Sequence, residues 1–222
     1  MRLYDKGEVI DYIWQYSRFY GNKLGECERY FADGEGHTAI ILLFEITENI
    51  CKSVVGDYES SFYKIVCKLM EKGVITADEE VFLSSGENSV RNIRNLFAHA
   101  NLMTINIVNV EDEQEILYPL TEEDSCLLLY EKISYLLFNM LLKIVVIGKI
   151  NIELEFDFGE ILKAFELRIR KLTSSEMLRY LGLNQNTIES MKALVDEKDL
   201  QRLADNSSNV NVLKAIFEKI KG

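Results

Sequence analysis

Residues 37–55 read HTAIILLFEITENICKSVV. Apolar side chains recur here at almost every helical step, from Ala39 and Ile40 through Leu43, Phe44 and Ile46 to Ile50, Cys51 and Val54. They cover most of a helix circumference, and a helix that is apolar nearly all round belongs inside a bundle. Neither glycine nor proline interrupts the run. The fold is therefore expected to be mainly α, assembled around this helix.

Working outward, Glu8–Phe19 carries Val9, Ile10, Ile13, Trp14 and Phe19 at helical spacing and is expected to form a first amphipathic helix. Gly21, Gly25, Gly34 and Gly36 follow and bracket the short stretch ECERYF. A third helix is expected over Ser60–Lys72, stopped by Gly73. The run from Leu127 to Ile147 approaches bilayer-spanning length, but Glu131, Lys132, Asn139 and Lys143 interrupt it, which favours a buried helix from Asp124 to Ile147 over a membrane span. Between these helices, TINIVNVEDEQEILYPL alternates, pauses at an acidic turn and alternates again, the pattern of a β-hairpin. INIELEF, 150–156, reads as one further extended strand.

Charge divides the chain. Its net charge is −11, yet residues 1–156 hold 14 Lys and Arg against 26 Asp and Glu, whereas 157–222 hold 11 against 10. This shift places a boundary near 156, with a helical domain over 1–156 and a C-terminal helical extension over 157–222. An acidic protein lacks the extended basic surface that duplex DNA requires, so nucleic-acid contact must be local. The N-terminus meets acids from Asp5 onward and has no uninterrupted apolar core, so no secretory signal is read and a cytoplasmic location is expected. Cys27, Cys51, Cys67 and Cys126 form no C-x-x-C pair, and the acidic turn Glu111–Glu113 lacks the glycine and spacing of a calcium loop. Buried free thiols, a plain hairpin tip and no metal or cofactor are expected. The many Tyr and Phe residues, at helical spacing, are expected mostly in the core rather than on a base-stacking platform.

Chemistry concentrates in VRNIRNLFAHAN, residues 90–101, which contains two arginines, three asparagines and one of the chain's two histidines. On a helix, Val90, Ile93, Leu96 and Phe97 anchor one side, while Arg91, Arg94, Asn95 and His99 return near one azimuth on the other. A histidine, with its ordinary pKa of about 6.5, exchanges protons at cellular pH. An arginine presents a permanently charged fork to phosphate oxygens and stabilises charge that builds on phosphorus. An asparagine can orient either partner. With no acidic cluster and no cysteine beside them, these groups suit metal-independent attack of an RNA 2′-hydroxyl on its neighbouring phosphate.

RNLFAH, Arg94–His99, resembles the signature of the HEPN family, an arginine followed by four to six residues and a histidine, with asparagine commonly next to the arginine. The surroundings over roughly residues 1–150 match as well, with long helices before the motif, a hairpin after it and another long helix to close. The resemblance implies an HEPN-like helical bundle that pairs as a homodimer, so that two copies of Arg94 and His99 frame one RNase site. It implies His99 as general acid or base, Arg94 on the scissile phosphate and Asn95 in positioning. Arg91 lies outside the signature; it either contacts RNA or pairs with Glu87 one turn earlier. HEPN ribonucleases commonly act as toxins or antiphage effectors, so an antitoxin or defence-system partner is expected.

Simpler roles compete for several of these residues. Glu45 and Glu48 either occupy a solvated face or reach the motif helix and steer His99 or Arg94, and His37 is expected as a capping or loop residue. The main alternative for the motif is a non-catalytic HEPN scaffold that binds RNA, nucleotide or a partner protein. The tail supports a third reading, because SSEMLRYLGLNQNTIESMKALV has the rhythm of a helix-turn-helix, its second helix begun by Asn186 or Thr187. A DNA-binding regulator would use that helix, but it carries Glu189 and, as a base, only Lys192.

Overall fold

The computed structural model describes residues 3–111, 114–150 and 158–206 and is mainly helical with a small antiparallel sheet. Residues 151–156 of INIELEF and most of the acidic hairpin turn lie outside the described residues. The chain divides into two compact units, 1–100 with 122–168, and 101–121 with 169–222.

The first unit is built on the helix of residues 37–55. It contains α1 (Lys6–Tyr16), α2 (Arg18–Ala32), α3 (Gly36–Val55), α4 (Phe62–Glu71), α5 (Ala77–Glu80), α6 (Val90–His99), α7 (Glu123–Val145) and α8 (Gly159–Ala164). Ala39, Ile40, Leu43, Ile50 and Cys51 of α3 are fully buried, and its main partners are α7 and α2. On α7, burial is nearly continuous from Leu136 to Val145 and includes Asn139 and Lys143. Asn139 satisfies its amide by bridging Tyr4, accepting from the Tyr4 N–H at 2.8 Å and donating to the Tyr4 carbonyl at 2.9 Å. Lys143 lies 2.7 Å from each carboxylate oxygen of Glu79 on α5. Among the described residues no helix is long and apolar enough to cross a membrane.

The N-terminal region corrects the expectation of one helix over Glu8–Phe19. α1 starts in a capping box between Asp5 and Glu8 and stops at Ser17, whose backbone is extended and whose hydroxyl accepts from the Tyr20 N–H to begin α2. A serine favours this cap because its oxygen satisfies a donor that the new helix leaves unpaired. Gly21 and Gly25 both lie within α2. A Cβ on Gly21 would stand 2.5 Å from Trp14 Cβ, so this glycine permits close packing of α1 on α2. Gly73, by contrast, has the predicted role: its φ is +70°, its N–H bonds the Met70 carbonyl and α4 ends there.

The second unit pairs the hairpin with the tail. β1 (Ile105–Glu111) lies between β2 (Gln114–Pro119) and β3 (Ile169–Lys171), both antiparallel to it, with Ile107 opposite Tyr118 and Ile169. The boundary read near 156 therefore differs from the observed division, because three residues after it return to β1 and carry the hairpin into the tail's unit. Beyond β3 come α9 (Ser174–Tyr180), α10 (Gln185–Lys192) and α11 (Glu197–Asn206). Met177, Leu178, Leu183, Ile188, Met191 and Leu200 form their shared core. α10 is capped by Asn184, which accepts from the Thr187 N–H and hydroxyl, so the helix begins before the expected Asn186 or Thr187.

Arg170 of β3 holds Glu176 of α9 through contacts of 2.7 and 3.1 Å. This pairing lowers the Glu176 pKa from its ordinary 4.5 to about 2. A carboxylate with a depressed folded-state pKa adds stability above its unfolded value, and that share is lost as pH falls toward the folded value. Thermal melts should show Glu176→Gln closing its stability gap to the wild type between pH 5 and pH 2. A constant gap over that range would mean that the pair is not coupled to folding.

Candidate functional site

α6 is a short amphipathic helix. Ser89 caps it, accepting from the Asn92 N–H, while the Asn92 carboxamide donates to the carbonyls of Gly86 at 2.9 Å and Glu87 at 3.2 Å. Val90 and Ile93 are buried, and Phe97 lies against Phe44 and His37 of α3, ring centroids 6.0 and 5.6 Å away. His37 is not a loop residue. It stands in the first turn of α3, its backbone N–H bonded to Glu123 at 2.8 Å, and its ring supports α6 from the apolar side.

The opposite side of α6 presents polar groups. Asn95 and His99 are exposed, and Arg91 and Arg94 are half-buried. At 3.6 residues per turn, these four occupy an arc of about 140°. The helix reaches His99 rather than ending near Leu96, so the histidine joins the same arc as the last helical residue. Among the described residues, neither the Asn95 carboxamide nor the His99 ring has a hydrogen-bond partner.

Arg94 is held from α3. Its Nη1 lies 2.8 Å from Glu48 Oε2, and Glu48 Oε1 lies 2.8 Å from Lys52 Nζ. A cleft of about 450 Å³ opens between α3 and α6, lined by Ile41, Phe44, Glu45, Glu48, Arg94 and Phe97 among others. Glu48 thus takes the steering position considered for it, whereas Glu45 is exposed and has no ion-pair partner among the described residues. His99 does not line this cleft; it lies farther round the helix. Arg91 does not pair with Glu87. Its guanidinium carbon stands 5.1 Å from the ring centroid of Tyr63 on α4.

Compared with models of protein families, with curated proteins and with solved structures, the chain shows no match. The site therefore rests on its own geometry. It contains an imidazole ring open to solvent, an oriented guanidinium, an open carboxamide and a second arginine on an aromatic support. Sequence reasoning missed Lys52 and Tyr63. Neither lies near the motif in sequence, and each joins the site through tertiary contacts of α3 or α4.

Among the described residues no group of His, Cys, Asp and Glu is arranged to hold a metal ion. Cys27, Cys51 and Cys126 are buried, and desolvation pushes each thiol up to about 12, which leaves them unsuited as nucleophiles. A second cleft, of about 420 Å³, lies at the entry to α6 beside Phe82, Asn88 and Phe165, and none of the expected site residues lines it. In the second unit, Lys192 of α10 is 3.4 Å from Glu189, which also accepts from Gln185 at 2.8 Å. Both contacts satisfy groups within the helix itself.

Proposed function

We propose that the chain is a metal-independent endoribonuclease of the HEPN type, acting as a homodimer in a toxin or antiphage defence role. The observation that carries this reading is the single polar side of α6, where exposed Asn95 and His99 accompany an Arg94 anchored by Glu48. In the reaction, a base removes the proton of the RNA 2′-hydroxyl, whose oxygen attacks the adjacent phosphorus. The bond to the 5′-oxygen breaks, and an acid gives that oxygen a proton. The products are a 2′,3′-cyclic phosphate and a 5′-hydroxyl. One His99 serves each proton transfer when two copies of the chain pair, Arg94 stabilises the charge on phosphorus, and Asn95 positions the 2′-hydroxyl or a phosphate oxygen.

One observation favours the non-catalytic scaffold reading instead: Glu48 already neutralises Arg94, so a phosphate must compete with a carboxylate for the fork. The two readings separate in one assay. The ribonuclease cuts single-stranded RNA in EDTA, leaves cyclic phosphate ends and spares DNA, which lacks the attacking hydroxyl. Arg94→Ala is expected to lower kcat/KM by about 10²–10³-fold, the usual loss for removing one preorganised charge donor. Unchanged cleavage in that variant removes Arg94 from the chemistry. No cleavage by the wild-type dimer favours the scaffold.

A further inference from the structure

Arg91 and Arg94 share one side of α6 but differ in their electrostatic surroundings. Arg94 is ion-paired with Glu48. Arg91 has no acidic partner among the described residues; its Nη2 makes one long contact of 3.5 Å to Asn92 Oδ1, and its Nε is buried without a partner. Its guanidinium instead stands over the ring of Tyr63, which remains 46% exposed. A guanidinium packed on an aromatic ring keeps its charge and the donors at its edge, and it loses little freedom when it takes a phosphate bidentately. Tyrosine rings and guanidinium planes are also the surfaces on which single-stranded bases stack.

We propose that Tyr63 and Arg91 form a nucleotide subsite for single-stranded RNA, on the same track as His99. This inference rests on the ribonuclease reading and extends it to where the strand lies. Eight residues separate Arg91 from His99, about 12 Å of helix axis. That is the length of roughly three stacked nucleotides at about 3.4 Å per base. A strand with its scissile phosphate at His99 passes Asn95 and places a flanking base and phosphate at Tyr63 and Arg91. This geometry selects unpaired RNA, because a base held in a duplex does not offer its face to a side chain.

The test measures binding of a cleavage-resistant, 2′-O-methylated single-stranded oligonucleotide to the full chain by fluorescence anisotropy. Tyr63→Ala is expected to weaken binding roughly ten- to a hundredfold, the usual loss for one stacked base, while Tyr63→Phe retains it. Arg91→Ala is expected to reduce the slope of log affinity against log salt by about 0.7, the share of one phosphate contact on a single strand. Tyr63 is exposed, so its variants should melt with the wild type. If Tyr63→Ala binds as well as the wild type while the wild type still cuts RNA, the subsite is overturned and the nuclease reading stands. Equal losses in Tyr63→Ala and Tyr63→Phe overturn the stacking role, and equal affinity for a duplex overturns the selection of single strands. A wild-type chain that neither binds nor cuts RNA overturns both readings.

Discussion

His99→Ala is expected to abolish RNA cleavage while leaving the unfolding of the helical unit almost unchanged. A positioned general acid or base contributes about 10²–10⁴-fold to rate, and in a homodimer the substitution removes both copies at once, so the loss should lie at or beyond the upper end. The fold should tolerate the change because His99 is exposed, has no hydrogen-bond partner among the described residues and ends its helix. A side chain at a solvent-exposed helix C-terminus affects stability by only a few tenths of a kcal/mol. Paired measurements decide the matter: kcat on a single-stranded RNA, and the midpoint of thermal unfolding. Full activity in the variant would reduce His99 to a helix-end residue and leave the bundle without a chemical role. A large fall in melting temperature would instead show that His99 is structural.

The contrast between His99 and Glu48 shows what the sequence could reveal. His99 joins Arg94 and Asn95 through helical periodicity alone, a property of neighbours three to five positions apart. α3, α7 and the hairpin were legible for the same reason, as was the stop at Gly73, whose positive φ is a local requirement. The contact of Glu48 with Arg94, and of Tyr63 with Arg91, depends on how separate helices pack. An exposed tyrosine in α4 has the same local spacing as a buried one, so spacing alone places both in the core. The break at Ser17 is not legible in the periodicity because the apolar spacing on either side of it stays in phase, and only the capping hydroxyl marks the interruption. The division into units was hidden for a topological reason. β3 is a three-residue strand, too short to alternate visibly, yet it joins the hairpin to the tail.

The second large effect concerns stability. Lys143→Met is expected to cost about 3–5 kcal/mol, the usual penalty for leaving one member of a buried ion pair without its partner. The Lys143 and Glu79 side chains are only 7% and 2% exposed, and both carboxylate oxygens lie 2.7 Å from the ammonium. Glu79 also accepts from the Thr76 N–H at 2.9 Å, closing the capping box that starts α5. Removing the ammonium therefore strands a charge at the start of the segment that leads through the wide turn Val81–Ser85 to the cap of α6. Adding Glu79→Gln to Lys143→Met should recover most of the loss, because a neutral carboxamide still accepts from Thr76 and has no charge to desolvate. Urea unfolding of the wild type, both single variants and the double variant measures this coupling directly. A Lys143→Met cost below about 1 kcal/mol would place the pair among solvated surface bridges. A double variant no more stable than Lys143→Met would mean that the lysine stem's packing, rather than its charge, joins α7 to α5.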